Sequence, residues 1–111
     1  MQKEVFSEAY RAGLQLEQML RPLNQPQLTT RAESLHITLS LQNTLHAEAI
    51  ILQSDAIVIN AASLLTDEIR DNVMVAATDV KIKTFAYLMD HAPELYTRLS
   101  RKYGIGILAK P

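Results

Sequence analysis

The chain carries three histidines, twelve acidic side chains and no cysteine, and any acid–base or metal chemistry would have to be assembled from these. Glu33-Ser-Leu-His36 has the Glu-x-x-His spacing that sets two ligands on one helical face in di-iron bundles. Such a centre needs a second copy and two further carboxylates, yet neither His46 nor His91 has an Asp or Glu three residues before it. Glu33 is therefore read as a helix-capping residue, and His36 as a side chain on a partly exposed face. Without cysteine there is no disulfide, thiolate nucleophile or cysteine zinc site. Gly-x-Ser-x-Gly, His-Glu-x-x-His and a phosphate-cradling Gly-rich loop are all missing from the sequence. Gly104-Ile-Gly106 has no strand before it, and Asp67-Glu68 is explained by a helix start. No catalytic residue, cofactor or metal is expected.

The remaining polar signals are positional. His46, Gln53, Asn60 and Asp67 recur every seven residues. On a helix this line is either a polar seam that fixes register between helices or subunits, or a solvent-facing strip. His91, next to Asp90, is expected at a helix C-terminus, where an imidazolium meets the negative end of the dipole.

The element that must position this line is Leu45–Leu65, which reads as three stacked heptads, LHAEAII, LQSDAIV and INAASLL. The first positions are Leu45, Leu52 and Ile59, the sixth Ile50, Ile57 and Leu64, the seventh Ile51, Val58 and Leu65. At about 100° per residue these lines fall near roughly 0°, 140° and 240°. A helix apolar on most of its circumference has to be covered on several sides, so Leu52 is expected to be enclosed. Ala49, Ala56 and Ser63 add a line of small residues that permits close helix approach. Neighbours within one chain do not suffice as cover. Self-association as a homodimer or tetramer through Leu45, Ala49, Leu52, Ala56, Ile59 and Ser63 is expected, with a second protein as the other source of cover.

Around this element the pattern predicts helices over about 3–20, 31–65, 67–90 and 93–103. The first stops near Arg21 because Pro22 disfavours helical geometry in the residue before it. The second starts from the capping box Thr30-Arg-Ala-Glu33. Leu35, Ile37, Leu39 and Leu41 alternate with polar residues in strand fashion, but there is no Gly or Pro between Pro26 and Pro93 to build sheet turns, so helix is preferred. A kink near Gln42–Thr44 or Ser54 is compatible with the pattern. Thr66 caps the third helix, with Asp67 and Glu68 in its first turn. Thr78-Asp79 offers an internal cap there. Pro93 opens the fourth and Gly104 closes it.

A chain of 111 residues with 48% hydrophobic and 21% charged residues and a formal net charge of -1 is read as one globular domain. Bulk charge implies neither nucleic acid nor membrane. Residues 34–66 contain only Glu48 and Asp55 as charges. Placing these with His46, Gln53 and Asn60 in hydrocarbon is costly, so a buried soluble helix is preferred to a membrane span. The start lacks the unbroken apolar run of a signal peptide, and a cytoplasmic location is expected.

Charge is uneven: residues 31–80 are net acidic and 81–111 net basic. LSRKYGIGIL resembles the first helix and turn of a helix-turn-helix, with Leu99, Tyr103 and Ile105 as packing positions and Gly104 in the turn, although no recognition helix follows before Pro111. Arg98, Arg101, Lys102 and Lys110 would then supply phosphate contacts. The sequence as a whole predicts an all-α helical bundle of three long helices and a short C-terminal one, completed by oligomerisation. It reads as a non-enzymatic interaction module of adaptor, chaperone-like or regulatory type. A nucleic-acid-associated regulator using the basic end is the alternative.

Overall fold

A computed structural model describes residues 5–104. Five α-helices follow one another: α1 (Ser7–Leu20), α2 (Pro26–Ser40), α3 (Ala47–Leu64), α4 (Asp67–His91) and α5 (Pro93–Tyr103). No strand occurs among the described residues. The all-α expectation holds, but the expected helix over 31–65 is two helices.

The division lies at Leu41–His46. Gln42 takes a left-handed conformation with φ 50°, which ends α2 without a glycine. Asn43 then accepts the Leu45 N–H at 2.9 Å through its side chain and starts the short 3-10 turn Thr44–His46. The strand-like alternation before the break is resolved by the helix: Leu35 and Leu39 are buried, while Ile37 and Leu41 are exposed.

The start of α2 corrects a second expectation. It begins at Pro26, four residues before the Thr30 capping box, and Thr30 lies exposed within the helix. Pro26 brings a preset φ to the first helical position and forces the extended geometry seen at Gln25, while Leu28, fully buried, anchors the turn. Arg21–Leu23 form a 3-10 turn that ends at Asn24 with φ 54°. The later boundaries follow the sequence closely. Thr78-Asp79 does not interrupt α4, and Ala92 separates it from α5.

α1 packs against α2 and α4, α3 against the same two, and α5 against α4. The result is a slab of 38 × 37 × 16 Å across its Cα atoms. With helix axes about 8–10 Å apart, that thickness holds two helical layers. In two layers no helix is surrounded, so α3 must present one apolar face outward. Leu52 is accordingly not enclosed: it is 48% exposed, whereas Ile50, Ile51 and Ile57 are fully buried.

The core is built from Phe6, Leu16, Leu20, Leu28, Leu35, Leu39, Ile50, Ile51, Ile57, Phe85, Leu88 and Leu99. Phe6 meets Tyr87 with ring centroids 5.0 Å apart, and Phe85 meets Tyr96 edge-on at 5.9 Å. Two hydroxyls enter this core at no unsatisfied cost. Ser54 donates to the Ile50 carbonyl and Thr84 to the Val80 carbonyl, both at 2.8 Å. Gly13 lets α1 approach α2, since a Cβ there would lie 2.8 Å from a Leu39 methyl.

Candidate functional site

The buried residues of α3, among them Ala47, Ile50, Ile51, Ser54, Ile57 and Ala61, share one side of the helix. Leu45, in the preceding turn, and Ala49, Leu52, Ala56, Ile59 and Ser63 lie roughly 170° away at about 100° per residue. All six expected self-association residues therefore share the outer face. Leu45 is 84% exposed and Ile59 68% exposed, values high for large aliphatic residues. Ala49 and Ala56 are half-buried and Ser63 is exposed. Together they form an apolar strip along the whole helix, on the order of the few-hundred-Å² patches that mark interaction sites on soluble proteins.

Two polar edges border the strip. On one side His46, Gln53 and Asn60 are each half-buried. Gln53 and Asn60 look into an open groove of about 560 Å³ whose other wall is Gln27, Thr30, Arg31 and Ser34 of α2. The Gln53 amide oxygen is enclosed there with no hydrogen-bond donor among the described residues. Heptad spacing alone gave the position of this atom but not its lack of a donor.

On the other side, both carboxylates of α3 are tied to neighbouring helices. Asp55 accepts from Lys81 of α4 at 3.1 and 3.3 Å, and the Lys81 side chain is only 8% exposed. Glu48 accepts from Lys102 of α5 at 2.8 Å and from the Tyr103 hydroxyl. The Lys102 hydrogen bond, followed by that from Tyr103, holds the Glu48 carboxyl below its ordinary pKa. The same carboxylate raises the pKa of Lys102 and, by accepting its proton in a hydrogen bond, that of Tyr103. No sequence spacing announces either pair, because the partners lie on different helices.

The expected basic cluster is rearranged by these contacts. Arg98 and Arg101 are exposed on α5, Lys102 is engaged by Glu48, and Lys110 lies outside the described residues. Of the turn that resembles a helix-turn-helix, Leu99 is buried, Tyr103 reaches Glu48, and Ile105 lies outside the described residues.

The histidines are dispersed. His36 lies 3.6 Å from Glu17 and stacks on Tyr10, so its carboxylate neighbour comes from α1 and not from Glu33. His91 stands in the last turn of α4, as expected, and stacks on Tyr87 with centroids 4.2 Å apart. Among the described residues no three His, Asp or Glu side chains gather as a metal-binding group. Among the described residues, no Asp, Glu or His lines the α2–α3 groove or a smaller one of about 350 Å³ beside Tyr10 and Gln42.

No family model, curated protein or solved structure matches this chain. Among the described residues one segment, Thr44–Leu64, is long and apolar enough to cross a membrane by length and composition. In the fold it packs against α2 and α4, and its two carboxylates are bonded to Lys102 and Lys81.

Proposed function

We propose that the protein is an interaction module that works by self-association through the outer face of α3. The observation that carries this reading is the strip Leu45, Leu52 and Ile59, exposed at 84%, 48% and 68%. Apolar residues opposite the buried side of an outer-layer helix add nothing to the folding of their own chain, and they lower solubility unless something covers them. A second copy is the simplest cover, since a closed two-fold pair buries the same strip twice. Adaptor, chaperone-like and regulatory roles all fit a protein of this kind, with a different protein able to take the place of the second copy.

Nucleic-acid binding through Arg98, Arg101 and Lys102 receives less support. Glu48 sits within this group and offsets part of its charge, and phosphate affinity depends on the number of cations that remain for the backbone.

A dilution series followed by amide NMR tests the proposal. Shifts and broadening that vary with concentration are expected at residues 45–63, with α1 and the outer side of α5 unchanged. Spectra independent of concentration from micromolar to millimolar, or changes confined to α5, would overturn it.

A further inference from the structure

We propose that two copies pair antiparallel through the outer face of α3 about a two-fold axis level with residue 54 along the helix, in a register that sets each large residue of the outer strip on a small one. This rests on the self-association reading above and adds its geometry. Along the chain the strip runs Leu45, Ala49, Leu52, Ala56, Ile59, Ser63, alternating large and small. Read backwards, the same strip begins with a small residue. An antiparallel copy therefore lays Leu45 on the partner's Ser63, Ala49 on the partner's Ile59 and Leu52 on the partner's Ala56. Large-on-small layers keep the two helices at one separation and interdigitate at interior density. A parallel copy would put Leu45, Leu52 and Ile59 on themselves and Ala49, Ala56 and Ser63 on themselves. Every second layer would then hold a gap, and its lining would lose its contacts.

The edges agree with the strip on where the axis lies. An axis perpendicular to both helices brings like edges together, so His46 meets the partner's Asn60 and Gln53 meets the partner's Gln53. All of these side chains can donate and accept. The Gln53 amide oxygen, which has no donor among the described residues, gains one by turning outward to its symmetry mate. On the opposite edge Asp55 approaches the partner's Asp55, and each enters already paired with its own Lys81. Glu48 approaches the partner's Ala62 and keeps Lys102 and Tyr103. The contact is isologous and closes at two copies.

Because the chain has no cysteine, introduced thiols report without background. Two variants, Ala49→Cys with Ile59→Cys together and Ser63→Cys alone, are oxidised mildly and run without reductant, with circular dichroism to check the fold. In the antiparallel pair the double variant is expected to form a covalent dimer. Its two thiols are about 15 Å apart within one chain, too far to close on themselves. Ser63→Cys is expected to stay uncrosslinked, since the two copies of residue 63 lie about 27 Å apart along the axis, against the roughly 7 Å that a disulfide spans. A covalent dimer of Ser63→Cys would show a parallel pair and overturn the orientation while leaving self-association standing. A sedimenting dimer without crosslinks in either variant would overturn the register. A protein that sediments as a monomer would instead overturn the self-association reading itself.

Discussion

Ile57 and Leu52 occupy the same helix and face opposite ways, and their energetic roles are expected to differ accordingly. Ile57→Ala should destabilise the chain by about 2–5 kcal/mol, the usual cost of deleting buried aliphatic methyls. Leu52→Ala, at dilutions where the protein is monomeric, should cost under about 1 kcal/mol. Urea denaturation of the two variants checks this, and equal losses would mean that α3 is rotated from its described orientation. The same heptads made Leu52 look central from sequence. Apolar lines on three sides said that α3 needs much cover, but not which line the chain covers itself. A second residue-scale test concerns Lys81, whose side chain is nearly buried with Asp55 as its counter-ion. Asp55→Leu should cost about 1–3 kcal/mol by leaving that ammonium unpaired, and adding Lys81→Met should recover most of the loss, because removing both charges is milder than stranding one. An undiminished loss in the double variant would show that the pair itself, not the stranded charge, matters.

At the scale of elements, α5 is fastened at its end through Glu48. The Glu48 carboxyl lies below its ordinary 4.5, so its stabilising contribution is present at neutral pH and fades as pH falls below that value. Lys102 and Tyr103 are raised, so theirs persists through neutral pH and is lost only above about pH 10. Amide exchange in α5 is therefore expected to be flat from about pH 6 to 9, after correction for intrinsic rates, with protection lost in acid. Glu48→Gln should lower the plateau and remove that acid limb, and an unchanged acid limb in the variant would assign it to other carboxylates. Two boundaries were legible because they rest on local signals, Pro93 at the start of α5 and Gly104 after it, whereas at the start of α4 the expected Thr66 side-chain cap is not made and Asp67 turns the chain at φ 59° instead. Those misread were decided at a distance or by uncommon residues. The break after α2 uses Gln42 at φ 50°, a position where glycine is the usual signal. The start of α2 is fixed by Pro26 and buried Leu28 together, which outweigh the capping box at Thr30.

For the molecule as a whole, the decisive property is thinness. A slab 16 Å deep across its Cα atoms gives every helix an outer side. For α1 that side is largely polar, with Glu8, Arg11, Gln15 and Gln18 exposed, and for α4 it is mixed, with Glu68, Asp71 and Asn72 exposed beside Val75 and Met89. For α3 it is the strip of Leu45, Leu52 and Ile59. The six residues of this candidate face were readable from heptad spacing alone, since side-chain type and period are local properties. The layer count that leaves them outside was not, because it depends on how helices distant in sequence stack. Sedimentation equilibrium at micromolar concentration, on the wild-type chain and on Leu52→Lys with Ile59→Lys, tests the central claim most directly. The wild type is expected at twice the 12.5 kDa chain mass, and the double variant at the chain mass with its helical circular dichroism intact. A wild type that remains at 12.5 kDa, or a double variant that still associates, would contradict it.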